Sequence, residues 1–318
     1  MKSVIRSPEA EPAPPAEEGR SRPATRRRPP GILSRYVELT KPRIVLLLLV
    51  TTVPAMILAR RGVPSLWLIA ATLFGGTLSA GGANAINQYV DRDIDQVMTR
   101  TRRRPLPAHL IAPRRALIFG ILLGVVGFAW LAVLVNLPAA LLSASALLFY
   151  VFVYTLWLKR STPQNIVIGG AAGAAPALVG WAAVTGRVGW PAVVLFAIVF
   201  VWTPPHFWAL SLKYRGDYAL ARVPMLPVVA GREVTTRQIL VYAVVLMAVT
   251  FVLWPVGPTG LLYPAAALVL GGLFVARAVH LRRSGTTAAA MSLFRYSIVY
   301  LALLFGSVAL DTLVRIGR

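Results

Sequence analysis

The chain has 318 residues, of which 57% are hydrophobic and only 14% charged, against roughly 25% charged residues in a soluble domain. The apolar residues come in blocks, which argues for a membrane-embedded protein and against an ordinary soluble enzyme. The formal net charge is +22 and there is no cysteine, so disulfides, thiolate zinc sites and iron–sulfur clusters are excluded.

Residues 1–35 are rich in Pro, Glu, Arg and Ala without an apolar block, a composition that predicts a disordered tail. No apolar run follows Met1, and Glu9, Glu11, Glu17 and Glu18 argue against a transit peptide. Residues 36–318 are expected to form one polytopic all-α domain. Nine apolar spans are predicted, at about 42–59, 65–86, 116–135, 138–157, 165–183, 190–211, 238–255, 260–279 and 292–313, each near the ~20 residues that cross ~30 Å of hydrocarbon. Strict alternation is missing, so a β-barrel is not expected.

With the N-terminus placed in the cytoplasm, 28 of the 33 Lys and Arg residues fall on the cytoplasmic side; the rest are Arg60, Arg61, Arg187, Arg315 and Arg318. That bias sets topology, so the basic charge does not point to nucleic acid. All the acids except Asp311 lie on the same side. Acids contribute little to orientation, so their clustering calls for another explanation.

Two loops on that side, 87–115 and 212–237, are long and charged. Each follows an apolar helix with Asp-containing polar residues and then a proline, which hints at a duplicated half without an alignable repeat. The glycines of GGTLSAGGAN and GGAAGAAP either let helices pack closely or thin the walls of a cavity.

The first loop opens with NQYVDRDIDQVMTRTRRRPLP from Asn87. If the helix continues, Asn84, Asn87, Asp91 and Asp95 share a roughly 80° arc, with Asp93 opposite. Such hard oxygen donors suit Mg²⁺, which takes one or two carboxylates plus substrate phosphates. The arginines downstream suit a diphosphate. The competing readings are a solvated helix end with incidental ion pairs and an ion pathway, whose acids usually sit nearer mid-membrane.

The second loop, WTPPHFWALSLKYRGDYALARVPMLPVVAG, holds His206, Lys213, Arg215, Asp217 and Arg222. Asp217 is a candidate metal ligand from across the cavity, and Lys213 a candidate phosphate binder. His206, amid Trp202, Phe207 and Trp208, is either a ligand or proton relay or a neutral histidine bonded to another helix. Between the loops, Tyr150 and Tyr154 lie one turn apart, and Lys159 and Arg160 follow at the membrane edge. Ordinary interfacial aromatics and snorkelling bases explain them equally well, but three polar clusters on one face favour a shared site.

The Asn87-x3-Asp91-x3-Asp95 run resembles the first aspartate-rich motif of the UbiA-type intramembrane prenyltransferases. LTKPRI at 39–44, YTLWLKRSTPQNIVIGGAAGAAP and WTPPHFWALSLKYRGDYALARVPMLPVV are similar to the branch of that family that farnesylates haem. The resemblance runs from Leu39 to Arg318. It implies a nine-helix bundle with a cytoplasm-facing cavity in a bacterial inner membrane. The implied substrates are farnesyl diphosphate and haem B, with Mg²⁺ as cofactor and haem-pathway membrane proteins as prospective partners. The motifs map the metal ligands onto Asn87, Asp91, Asp95 and Asp217. Lys159, Lys213, Arg43, Arg103 and Arg104 become the candidate diphosphate binders. Tyr150, Tyr154, Trp202 and Trp208 are candidates to steady an allylic cation, and His206 is a candidate haem contact. Two positions depart from the pattern: Ala221 replaces a second acid, and Arg222 stands where a glycine is expected. Another acceptor ring, or a transporter, is the alternative function.

Overall fold

The computed structural model describes residues 31–316, apart from a few side chains in the first span. Among the described residues all regular structure is helical. Helix α1 (Ile32–Leu39) and α2 (Pro42–Arg60) are followed by α3 (Leu66–Val90), the short α4 (Arg92–Val97) and α5 (Pro113–Leu134). Helix α6 (Leu137–Leu148) runs directly into a π-helical stretch (Phe149–Leu158) and a last turn, α7 (Lys159–Ser161). Then come α8 (Asn165–Thr185), α9 (Trp190–Lys213), the short α10 (Arg215–Leu220) and α11 (Leu226–Val229), and finally α12 (Gly231–Val256), α13 (Leu262–Ser284) and α14 (Thr287–Ile316).

Eight of these continuous helical runs are long and apolar enough to cross a membrane, and the 19-residue α2 makes a ninth among the described residues. All nine expected spans are present. Their ends carry local signals. Ser65 and Asn136 accept the amides of Leu68 and Ala139, at 3.2 and 2.9 Å, as N-caps do. Prolines occupy the first turns of α2, α5, α6 and α9, where no helical N–H is lost. Gly186 and Gly285 close α8 and α13 at φ 66° and 61°, the left-handed conformation glycine adopts without penalty.

One boundary is corrected. Residues 32–35, expected in the tail, belong to α1. Tyr36 and the fully buried Leu39 anchor that helix against Ala85, Leu106, Ile111, Ala116 and Phe119. The rest of the tail lies outside the described residues.

Both glycine readings apply, at different residues. Helix α3 packs most extensively on α5, and a Cβ on Gly82 would meet the carbonyl oxygen of Gly120 at 2.6 Å. A Cβ on Gly173 would meet nothing within 4 Å, because Gly173 and Gly76 line a cavity among α2, α3, α6 and α8. Close backbone approach is what small residues provide in a membrane. Gly82→Ala is therefore expected to destabilise the protein by about 1–3 kcal/mol through overpacking, and Gly173→Ala by less than that. Thermal midpoints of both variants in detergent would check the contrast.

Candidate active site

The first loop behaves as the helical phase requires. Helix α3 gives way to α4 at Asp91, but the hydrogen-bond ladder continues, with Asp91 N on Asn87 O at 2.9 Å and Asp95 N on Asp91 O at 2.8 Å. Asn87, Asp91 and Asp95 therefore stay in register and point inward, at 3%, 0% and 2% exposure. Asp93, half a turn away, faces outward. There the guanidinium of Arg160 grips it with bonds of 2.7 and 2.8 Å and holds its carboxyl down to about 2.

A buried carboxylate is tolerated only when paired and hydrogen-bonded, and the partners come from four segments. Asp91 Oδ2 accepts from Asn87 Nδ2 at 2.7 Å and from the Lys159 ammonium at the end of the π-helical run. Asp91 Oδ1 is buried without a hydrogen bond; Arg160 Nη2 lies 3.7 Å from it. Asp95 pairs with Arg104 at 2.7 Å. Asn87 also donates to Thr155 Oγ1 at 3.2 Å and accepts from Lys41 Nζ at 2.8 Å. Thr155 in turn bonds the Tyr150 carbonyl five residues back, at 2.8 Å. Burial, then the nearby Arg104 and Lys159 charges, lowers the Lys41 ammonium to about 7.

Lys41 was not singled out in the sequence, although its motif was. It caps α2 at φ 53° and ψ 61°, a left-handed conformation costly to a side chain. Strain of that kind persists where surroundings enforce it. Here Lys41 is held through Asn87, while Asn84 and Gln88 bond the carbonyls of Thr40 and Leu39 at 3.1 and 2.9 Å.

The second loop docks on the first through Asp217. Asp217 accepts both its short bonds from Thr99 Oγ1, at 2.7 and 2.9 Å, with the Arg100 amide at 3.4 Å. Among the described residues no three acidic or imidazole side chains converge on one ion site. Ala221, at the vacant acid position, packs with Ile94, Met98, Tyr218 and Val223, so the site there is apolar.

The remaining candidates divide. Arg103 is exposed, because its neighbour Arg104 takes the inward direction. Lys213 is exposed and lies over the Tyr214 ring at 5.5 Å, so neither Arg103 nor Lys213 joins the buried network. The Arg43 side chain lies outside the described residues. Tyr150 and Tyr154 stack with centroids 5.3 Å apart. Tyr150 and Asn84 both line the cavity noted above, of about 170 Å³, whose walls are apolar with a few hydroxyls. Trp202 and Trp208 turn into the core of the bundle instead. Trp202 bonds the Ser297 carbonyl at 2.8 Å.

His206 lies against Trp202 and Phe294, and its Nδ1 is 2.6 Å from Ser297 Oγ. The Ser297 hydroxyl already donates to Phe294 O at 2.6 Å, so it accepts from His206. That makes Nδ1 the protonated nitrogen and leaves the lone pair on Nε2.

Buried acids, cations from several segments and an adjoining apolar cavity are an arrangement that a ligand with an anionic head and a greasy tail would fit. The chain matches the UbiA prenyltransferase family over residues 48–304. It belongs to that family and is an integral multi-pass membrane protein. It is 58% identical over 282 residues to the protoheme IX farnesyltransferase of Frankia alni, covering 88% of this chain and 98% of the relative. A solved UbiA homolog from Aeropyrum pernix K1 shares the fold with a TM-score of 0.68 at 19% identity, over 85% of this chain and 97% of that one. A UbiA homolog from Archaeoglobus fulgidus bound to GPP and Mg²⁺ does so at 0.59 and 16%, over 86% and 99%.

The structure also gives a reason for the glycine expected at position 222. Arg222 has φ 53°, so the position suits glycine on conformational grounds. Relief of about 1–2 kcal/mol of left-handed strain exceeds the roughly 0.5–1 kcal/mol entropic cost of glycine. Arg222→Gly is expected to raise the thermal midpoint and Arg222→Ala to leave the strain in place, which paired melts would show.

Proposed function

We propose that the protein transfers the farnesyl group of farnesyl diphosphate to a vinyl group of haem B, forming haem O and releasing diphosphate. The observation that carries the prenyl-transfer reading is the buried Asp91, bonded by Asn87 and Lys159, beside the Tyr150-lined apolar cavity. The choice of haem as acceptor is supported by the close similarity to the Frankia relative. The site is read as cytoplasmic from the distribution of Lys and Arg, and a bacterial inner membrane is read from the similarity to the Frankia relative.

The residues fit Mg²⁺. Asp91 Oδ1 is a buried carboxylate oxygen lacking a hydrogen bond, and oxygen donors from one or two carboxylates leave room for phosphate and water. Asn87, Asp91 and Asp95 would hold the ion, with Asp217 joining once released from Thr99. When bound, it supplies Lewis-acid stabilisation of the charge growing on the leaving diphosphate. Lys159, Lys41 and Arg104 serve the same end as preorganised cations, exchanging carboxylate for phosphate oxygens when the ligand arrives. Lys213 and Arg103, at the mouth, assist capture, with Arg43 on α2 as a further candidate.

The apolar cavity takes the farnesyl chain and excludes water. The C–O bond at the diphosphate breaks, and the faces of Tyr150 and Tyr154 steady the allylic cation. The terminal vinyl carbon of haem attacks that cation. Water adds to the resulting carbocation and loses a proton, giving the hydroxyethyl-farnesyl arm. His206, with its Nε2 lone pair, is assigned to haem.

Purified protein given haem B and farnesyl diphosphate should add one hydroxyfarnesyl group to the porphyrin, read by mass, only when Mg²⁺ is present. Asp91→Ala and Asp95→Ala should abolish the gain while remaining folded. His206→Ala should weaken haem binding more than diphosphate binding. Near-normal turnover in either aspartate variant would refute the metal assignment. Label passing to an added aromatic acid but not to haem would refute the acceptor.

A further inference from the structure

Far from the aspartates in sequence, α13 and α14 form a cleft that the proposed chemistry does not use. Arg277, His280 and Ser292 line it, with Leu273, Ala276 and Ala289, around an open space of about 310 Å³. Arg277 reaches across the cleft and donates to Ser292 Oγ at 3.2 Å. Its guanidinium lies 4.5 Å from the centre of the Tyr296 ring, and the Tyr296 hydroxyl is fixed on Leu270 O at 2.9 Å. A guanidinium has five N–H donors. Only the bond to Ser292 uses them among the described residues, and neither Arg277 nor Arg295 has an acidic partner there.

The placement of these arginines is informative. Each lies about two helical turns from the α13–α14 turn, toward the hydrocarbon. Each also tops an exposed apolar stripe at four-residue spacing. Below Arg277 run Leu273 and Val269, at 47% and 61% exposure. Below Arg295 run Val299 and Leu303, at 49% and 53%. Residues at that spacing share a helix face. A snorkelling arginine would simply stretch to water, whereas Arg277 is held in place by a ring and a hydroxyl, with donors to spare. The ligand that matches is a phosphate with two chains beneath it.

We propose that the α13–α14 cleft binds one anionic phospholipid, its phosphate on Arg277 with Arg295 and His280 beside it and its acyl chains along the two apolar stripes. Basic pockets between membrane helices are suited to such headgroups, and the planar fork of arginine suits phosphate. The site needs no prenyl substrate, so it stands apart from the reaction proposed above.

Native mass spectrometry of the full-length protein in detergent tests it. With added palmitoyl-oleoyl phosphatidylglycerol, one tightly bound lipid is expected, held roughly tenfold more strongly than phosphatidylcholine of the same chains. Arg277→Gln, and separately Arg295→Gln, should weaken that binding, the first by roughly tenfold, without slowing consumption of the prenyl diphosphate. If Arg277→Gln fails to fold, Arg295→Gln carries the test. Equal binding of the two lipids, or unchanged binding in the folded variants, overturns the proposal. Displacement of the lipid by millimolar inorganic phosphate overturns it too, by making the cleft a free-anion site.

Discussion

The arrangement of the site follows from one constraint: Asp91 is wholly buried. Removing an ionised carboxylate from water costs several kcal/mol after relaxation, and a partner must meet it inside the bundle. Lys159 is that partner, with Asn87 on the same oxygen. To satisfy Asp91, the end of the π-helical segment has to come down on the end of α3. Asn87 then extends the network to Thr155 and, through Lys41, to the start of α2. Few other single contacts tie so many segments together.

The π-helical geometry belongs to the same arrangement. The Thr155 hydroxyl donates to the Tyr150 carbonyl, and along the π-helical turns Thr155 and Lys159 face α3 while Tyr150 faces the cavity. π-helical turns are rare and are frequent at functional sites. The π-helical segment joins polar to greasy: its first turn lines the apolar chamber, and the residue after its end holds the carboxylate. The Thr99–Asp217 clasp closes the same end from the other loop, so a ligand reaching the carboxylates meets two loops already docked on one another.

Most of the fold was legible in the sequence because a bilayer forces it: each span is a block of apolar residues, and its ends carry proline, glycine or a cap. The aspartate stripe was legible because a helical phase is local arithmetic, and it survived the break at Asp91. What escaped was long-range. Lys41 meets Asn87 across 46 residues and Thr99 meets Asp217 across 118, and no local pattern encodes either pairing. Nothing in TRTRRRPLP tells Arg104 from Arg103; the turn between them decides which side chain is buried. Trp202 and Trp208, candidates to steady a cation, sit on a helix face that packs on α12 and α14, and no local pattern shows which way that face turns. The glycine expected at 222 was read from resemblance alone, and the left-handed backbone supplies the physical reason.

In the proposed mechanism, carboxylates and cations neutralise one another until a metal and a diphosphate arrive together. Linkage makes that measurable, since each ligand must raise the other's affinity by the same factor. Calorimetric titration with Mg²⁺ and a non-reactive farnesyl thiodiphosphate, separately and together, tests it most directly. Weak binding of Mg²⁺ alone is expected, because Lys159 and Arg104 occupy its carboxylates, with a reciprocal gain of at least about tenfold when both are present. Tight binding of Mg²⁺ without the diphosphate, or diphosphate affinity indifferent to Mg²⁺, would contradict it.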